Sequence, residues 1–156
     1  MIGDDYEFME AWLGWGRKPN VASYLDGLVA GDTVEILCWP EIPPLNAGST
    51  RTISKAWLSV KDKQSDADPT ENAAWSPTAG ARQSISTTEV AGRGVILSAS
   101  ETTPELRFDV TAANTALMTA RKTYYFDVQV LMSDGALYTV ERGTFTLAKG
   151  VTAATS

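Results

Sequence analysis

From residue 33 onward the chain is patterned in period two. Tyr124, Phe126, Val128, Val130 and Met132 fall on one side of the stretch 124–132, and Tyr125, Asp127, Gln129 and Leu131 on the other. This is the alternation of a strand with one buried face. Ser133-Asp134-Gly135 follows, and an Asp-Gly pair between two alternating runs predicts a tight hairpin, because its residues tolerate the left-handed backbone such turns need. On the return, Leu137, Thr139 and Glu141 alternate with Tyr138 and Val140. Arg142-Gly143 interrupts the pattern and reads as a bulge or twist before 144–148 resumes it.

The same period recurs upstream. The run 33–40 is a strand stopped by Pro40, and 40–50 is a loop, since Pro40, Pro43 and Pro44 cannot donate to a ladder. In 50–61, Ala56, Leu58 and Val60 share one face and Lys55, Trp57 and Ser59 the other. The polar, turn-rich stretch 61–81 predicts a long loop of the kind that is often functional. Short strands are expected at 81–86 and 94–100, and at 105–110 with Leu106, Phe108 and Val110 inward; 111–122 has helix-forming composition. About seven strands at intervals of roughly 8 to 12 residues predict an all-β fold, an immunoglobulin-like β-sandwich over 33–150. No internal repeat points instead to a solenoid or propeller.

Residues 1–32 depart from this pattern. Tyr6, Phe8, Trp12, Trp15 and Tyr24 stand among glycines and acids without alternation, and Gly14 and Gly16 limit any helix through Met9, Trp12 and Leu13. An irregular N-terminal arm is expected over 1–32, with Gly31-Asp32 as the turn into the first strand and 151–156 as a tail.

Composition narrows the functions open to such a fold. At 156 residues, 44% apolar and 21% charged, the chain has the size and balance of one ordinary domain. No apolar run approaches the roughly 20 residues of a spanning helix, so no membrane role is expected. The opening MIGDDYEFMEAW is acidic where a secretory signal is basic, which leads to an expectation of synthesis in a cytoplasm. Cys38 is the single cysteine and lies in the apolar run VEILCW, where it reads as a small buried hydrophobe. There is no histidine, which excludes Ser-His-Asp and Cys-His nucleophile systems, His-ligated zinc and imidazole proton transfer. A net charge of −6 argues against a nucleic-acid partner.

Several candidate constellations stand against plainer readings. Asp62, Asp66, Asp68 and Glu71 gather oxygen ligands of the kind calcium takes. They lack the EF-hand order and its central glycine, so a solvated loop is the plainer reading and no metal or other cofactor is expected. Asp4, Asp5, Glu7 and Glu10 read as a charged surface. Gly92-Arg93-Gly94 is too short for a phosphate loop, and no two acids show the pairing a glycosidase needs. Five tryptophans are more informative. Trp39 and Trp57 read as packed at sandwich edges, yet exposed Trp57 or Trp75 could stack on a sugar or form an interface. Tyr6, Phe8, Trp12 and Trp15 are candidates for docking on a partner.

In order and spacing these motifs resemble small β-sandwich proteins of tailed-bacteriophage virions, above all the N-terminal domain of phage baseplate upper proteins and related short phage structural proteins. The positions that carry the likeness are Trp57, Val60 and Lys61; Asp66 and Asp68; Tyr124, Phe126, Asp127, Val128 and Gln129; Asp134 and Gly135; and Thr139, Gly143, Phe145 and Leu147. The likeness covers 50–152 and departs in the first 32 residues, in the proline loop, and in having no fibre or coiled-coil extension after Val151. It implies a non-enzymatic structural protein of the virion: a tail, baseplate or fibre adaptor, or a head or neck accessory or decoration. Such a protein would be present in multiple or homo-oligomeric copies and bound to other virion proteins. The alternative expectation is a carbohydrate-binding module for host-surface glycans, using Trp57 or Trp75 and the acidic loop.

Overall fold

A computed structural model describes residues 20–43, 50–87 and 93–148. Seven strands run through them: β1 (Val34–Cys38), β2 (Ile53–Lys61), β3 (Ala81–Ser86), β4 (Gly94–Ser98), β5 (Glu105–Val110), β6 (Thr123–Met132) and β7 (Leu137–Thr146). The stretches 81–86 and 105–110 appear as strands with the expected bounds. Every strand pairing is antiparallel, in two sheets of order β1-β5-β4 and β3-β2-β6-β7. The protein is an all-β sandwich.

The core lies between the sheets. Ile36 and Cys38 of β1 and Leu106, Phe108 and Val110 of β5 face Ala56, Leu58 and Val60 of β2, Ile85 of β3 and the five alternating apolar residues of β6. Burying each large apolar side chain contributes about 1.5–3 kcal/mol, so the alternation read from the sequence is what selects the face that turns inward.

Two features of the ribbon differ from expectation. The interruption in β7 falls at Val140, not at Arg142-Gly143: Val128 pairs with Glu141 and Gln129 with Thr139, which leaves Val140 as the extra residue. This shift puts Glu141, Gly143 and Phe145 on the inward parity. Gly143 stays in the ladder opposite Phe126, where a Cβ would sit 3.2 Å from the ring. Glycine is needed there for close packing and not for a turn. The turn itself is as predicted, with Gly135 at φ +92°.

Residues 20–32 are part of the domain, which corrects the arm expected there. A one-turn helix α1 (Val21–Leu25) is N-capped by Asn20, whose side chain accepts from the Ser23 N–H at 2.9 Å. Val21, Leu25 and Leu28 are buried in the sandwich core. The Glu141 carboxylate accepts from the Val21 N–H at 2.6 Å, and Val29 bridges Ala148 in parallel. Apolar spacing i, i+4, i+7 and a capping residue are what make the segment pack. The arm of 1–19 and the tail of 151–156 lie outside the described residues.

The helix expected over 111–122 is a single turn, α2 (Ala112–Thr115). The chain leaves it to reach a residue with positive φ, Arg121 at +68°. This path brings the Thr119 N–H to the Tyr124 hydroxyl, at 2.9 Å. Thr115 is fully buried and fastens α2 to the turn before β1, donating to Asp32 O at 2.6 Å and accepting from the Gly31 N–H at 3.1 Å.

Candidate functional site

The outward face of the four-stranded sheet carries the residues that sequence reading singled out. Register alone builds it: Trp57 pairs with Ser86 and Gln129, Ser59 with Ser84 and Asp127, Lys61 with Tyr125, and Gln129 with Thr139. Cross-strand partners on one face lie within side-chain reach. Ser59, Lys61 and Ser84 are nonetheless buried, because the segment 62–80, here called the strap, folds over that face and along the free edge of β3. Asn72 N–H donates to Ser84 O at 2.7 Å and Ser76 N–H to Arg82 O at 2.8 Å. An edge that would otherwise be open to another chain is thereby covered.

The four acids of the strap do not converge on an ion. Asp62 pairs with Arg82 at 2.8 Å and accepts from the Gly80 N–H at 3.0 Å. The Arg82 guanidinium foremost holds its carboxyl below the ordinary range. Asp66 accepts from the Lys63 N–H in a local turn, and Asp68 pairs with Lys61 at 2.8 Å. Glu71 meets Lys55 at 2.8 Å and the Trp57 indole N–H at 2.8 Å, contacts that also lower its pKa. Each carboxylate has its own partner, and no group of three or more metal-ligating side chains occurs among the described residues. Asp62, Asp68 and Glu71 fasten the strap to the sheet, and Asp66 closes a turn within it.

Trp75 is not an exposed stacking residue. It is 3% exposed and packs edge-on to Tyr124, with ring centroids 5.2 Å apart. Its backbone N–H donates to the Asn114 side chain at 3.0 Å. The aromatic surface it adds to the core outweighs what a solvent-facing indole would contribute, so it anchors the strap and leaves the predicted glycan or interface pair. Trp57 is half-buried and lines a cavity of about 220 Å³ with Ser59, Asp68, Pro69, Glu71, Ser84, Gln129 and Leu137. Lys55 lies over its ring, 5.0 Å from the centroid.

Tyr6, Phe8, Trp12 and Trp15 lie outside the described residues. Cys38 is buried, and desolvation, with the Glu141 carboxylate beside it, pushes its thiol up to about 12, which keeps it an unreactive packing residue.

Sequence reasoning missed two sets of residues. Ser84, Gln129 and Leu137 join Trp57 through strand register, which no local pattern in the chain reveals. At the end of the sandwich that bears the β6–β7 turn, buried Arg51 donates to Glu101 at 2.9 Å, Asp134 at 3.1 Å, the Tyr138 hydroxyl at 3.0 Å and Pro43 O at 2.6 Å. It ties three loops together. The acidic turn Asp134-Gly135 was the available signal for a cation nearby. No protein-family model, curated protein or solved structure matches the chain.

Proposed function

We propose that this chain is a non-enzymatic structural protein of a tailed-phage virion, an immunoglobulin-like module that docks in several copies on a larger assembly. The observation that carries the reading concerns where the residues behind the phage likeness sit. Trp57, Val60 and Lys61 are on β2, Tyr124 to Gln129 on β6, Asp134 and Gly135 in its turn, and Thr139, Gly143 and Phe145 on β7. Asp66 and Asp68 are on the strap that covers the same sheet. Motifs dispersed from Trp57 to Phe145 thus belong to one contiguous physical unit, as a shared module would require.

Two features support the immunoglobulin-like part. The sheet orders β1-β5-β4 and β3-β2-β6-β7 follow the B-E-D and C′-C-F-G arrangement of such domains, with α1 and the residues after it on the side a first strand would take. Tyr124, at the start of β6, accepts from a backbone N–H five residues upstream, the geometry of a tyrosine corner. A non-enzymatic role accords with a histidine-free composition and with strap carboxylates engaged in fastening it. Docking is assigned to Tyr6, Phe8, Trp12 and Trp15.

The test is a chain lacking residues 1–19, which keeps the Asn20 cap, compared with the full chain in particles purified after complementation. The full chain should co-sediment with particles, and the shortened one should stay in the soluble fraction with an unchanged melting temperature. Particles that take up the shortened chain normally would sink the docking assignment, and a full chain absent from particles would sink the virion reading.

A further inference from the structure

Trp57 is held in one orientation. Glu71 fixes its N–H, Lys55 covers one ring face, and the 2.8 Å Lys55–Glu71 pair closes the set. The indole is therefore a pre-set apolar plate in the wall of the 220 Å³ cavity, flanked by Pro69 and Leu137, the latter among the most exposed large apolar side chains described. The floor is polar. Ser59 and Ser84, the second only 2% exposed, share one long hydrogen bond of 3.3 Å. One hydroxyl proton of the two is left without an acceptor among the described residues, and a buried donor so placed invites a ligand oxygen. The Gln129 amide makes only a 3.3 Å contact to Thr139. A second cavity of about 230 Å³, lined by Asp68, Pro69, Thr70 and Arg82 among others, shares Asp68 and Pro69 with the first.

We infer that these two cavities form a binding cleft for a neutral saccharide of about two rings, with one pyranose seated against Trp57. A pyranose presents an apolar C–H face to the indole and a rim of hydroxyls able both to accept from Ser84 and Gln129 and to donate to Asp68 and Glu71. A purely apolar ligand would leave the floor unsatisfied. An anion would meet the two carboxylates, and a cation would find them already neutralised by Lys61 and Lys55. The inference is independent of the virion reading, since it requires only the folded domain.

The test uses the full chain and a panel of neutral disaccharides (cellobiose, maltose, lactose and chitobiose), followed through the Trp57 indole N–H resonance in a nitrogen-15 correlation spectrum. At least one sugar should shift that resonance saturably. Ser84→Ala, which removes a floor hydroxyl without touching the aromatic wall, should weaken binding roughly fivefold. Trp57→Ala, monitored by a strap resonance and checked by its melting curve, should weaken it by about tenfold or more. No shift across the panel would overturn the inference, as would affinity unchanged in both variants. A Trp57 shift that follows protein concentration and not sugar would overturn it too, making the face a contact between copies.

Discussion

The β6–β7 ribbon and the strap lie in the same half of the sandwich but are held by different physics. The ribbon is paired from Thr123–Thr146 to Leu131–Leu137, and the inner side of β6 is a continuous apolar row, with Tyr124, Phe126 and Phe145 in ring contact. The strap has one large buried anchor, Trp75, and otherwise discrete contacts: Asp62–Arg82, Lys61–Asp68, Lys55–Glu71 and Asn72–Ser86. Stability in the ribbon is spread over many small apolar contacts, with Glu141 as the one carboxylate on its inner side. In the strap it is concentrated in a few charged ones, each of which can be removed singly. A binding cleft at their junction then has one rigid wall and one that pH can loosen.

The largest expected effect tests the ribbon side. Phe126→Ala removes a fully buried ring between the sheets and should cost about 3–5 kcal/mol, read as an earlier urea midpoint for the whole domain. A loss below about 1 kcal/mol would mean that the ribbon is not the centre of the core and would break the contrast.

Arg82→Ala probes the strap. Its guanidinium and the Asp62 carboxylate are mostly buried and doubly bonded, so the loss should be about 2–3 kcal/mol. The readout separates the regions: amide exchange should accelerate at Asn72, Ser76 and Gly80 while β6 amides keep their protection. The pH dependence follows from Asp62, whose carboxyl titrates below the ordinary range when folded. Its contribution is present above the ordinary carboxylate pKa and is lost as pH falls through the lowered folded value. Glu141 acts in the opposite sense. Burial raises its pKa, so the native state takes up a proton first, and stability rises as pH falls from that raised value toward the ordinary one. Acid should therefore weaken the Asp62–Arg82 attachment of the strap, and Arg82→Ala should flatten that dependence. Equal acid sensitivity in strap and ribbon would contradict this division.

The division also explains what could be read in advance. The ribbon and β5 were legible because period-two alternation is a property of neighbouring residues, and β3 because the turn-like residues around it mark its ends. The strap's role was not, since Asp62, Asp68 and Glu71 find their cations on β2, β3 and at position 122, and only tertiary pairing brings those together. Trp75 sits in a stretch without period, NAAWSP, so its burial against Tyr124 had no local sign. The packing of 20–32 did have one, in Asn20, Val21, Leu25 and Leu28, but the aromatic residues before it dominate the pattern. For the candidate cleft, Trp57 could be singled out from the alternation of β2, whereas Ser84 and Gln129 came only with register.

The smallest expected effect bears on that register. Moving the bulge to Val140 places Gly143 under the Phe126 ring, and an added Cβ would lie 3.2 and 3.4 Å from two ring carbons. Phe126 is fully buried and in contact with Phe145, so the ring can yield only by a few tenths of an ångström. Backbone strain plays no part, because the φ of Gly143 is not positive. Gly143→Ala should thus cost about 1 kcal/mol by overpacking, with the Phe126 ring resonances displaced and the ladder intact. If the glycine instead formed the bulge, as its place beside Arg142 suggests, alanine would disturb the amide shifts of 141–144 and leave the ring unmoved. The two outcomes are distinguishable in one spectrum, and only the first is consistent with a ribbon whose register is set by packing on its inner face.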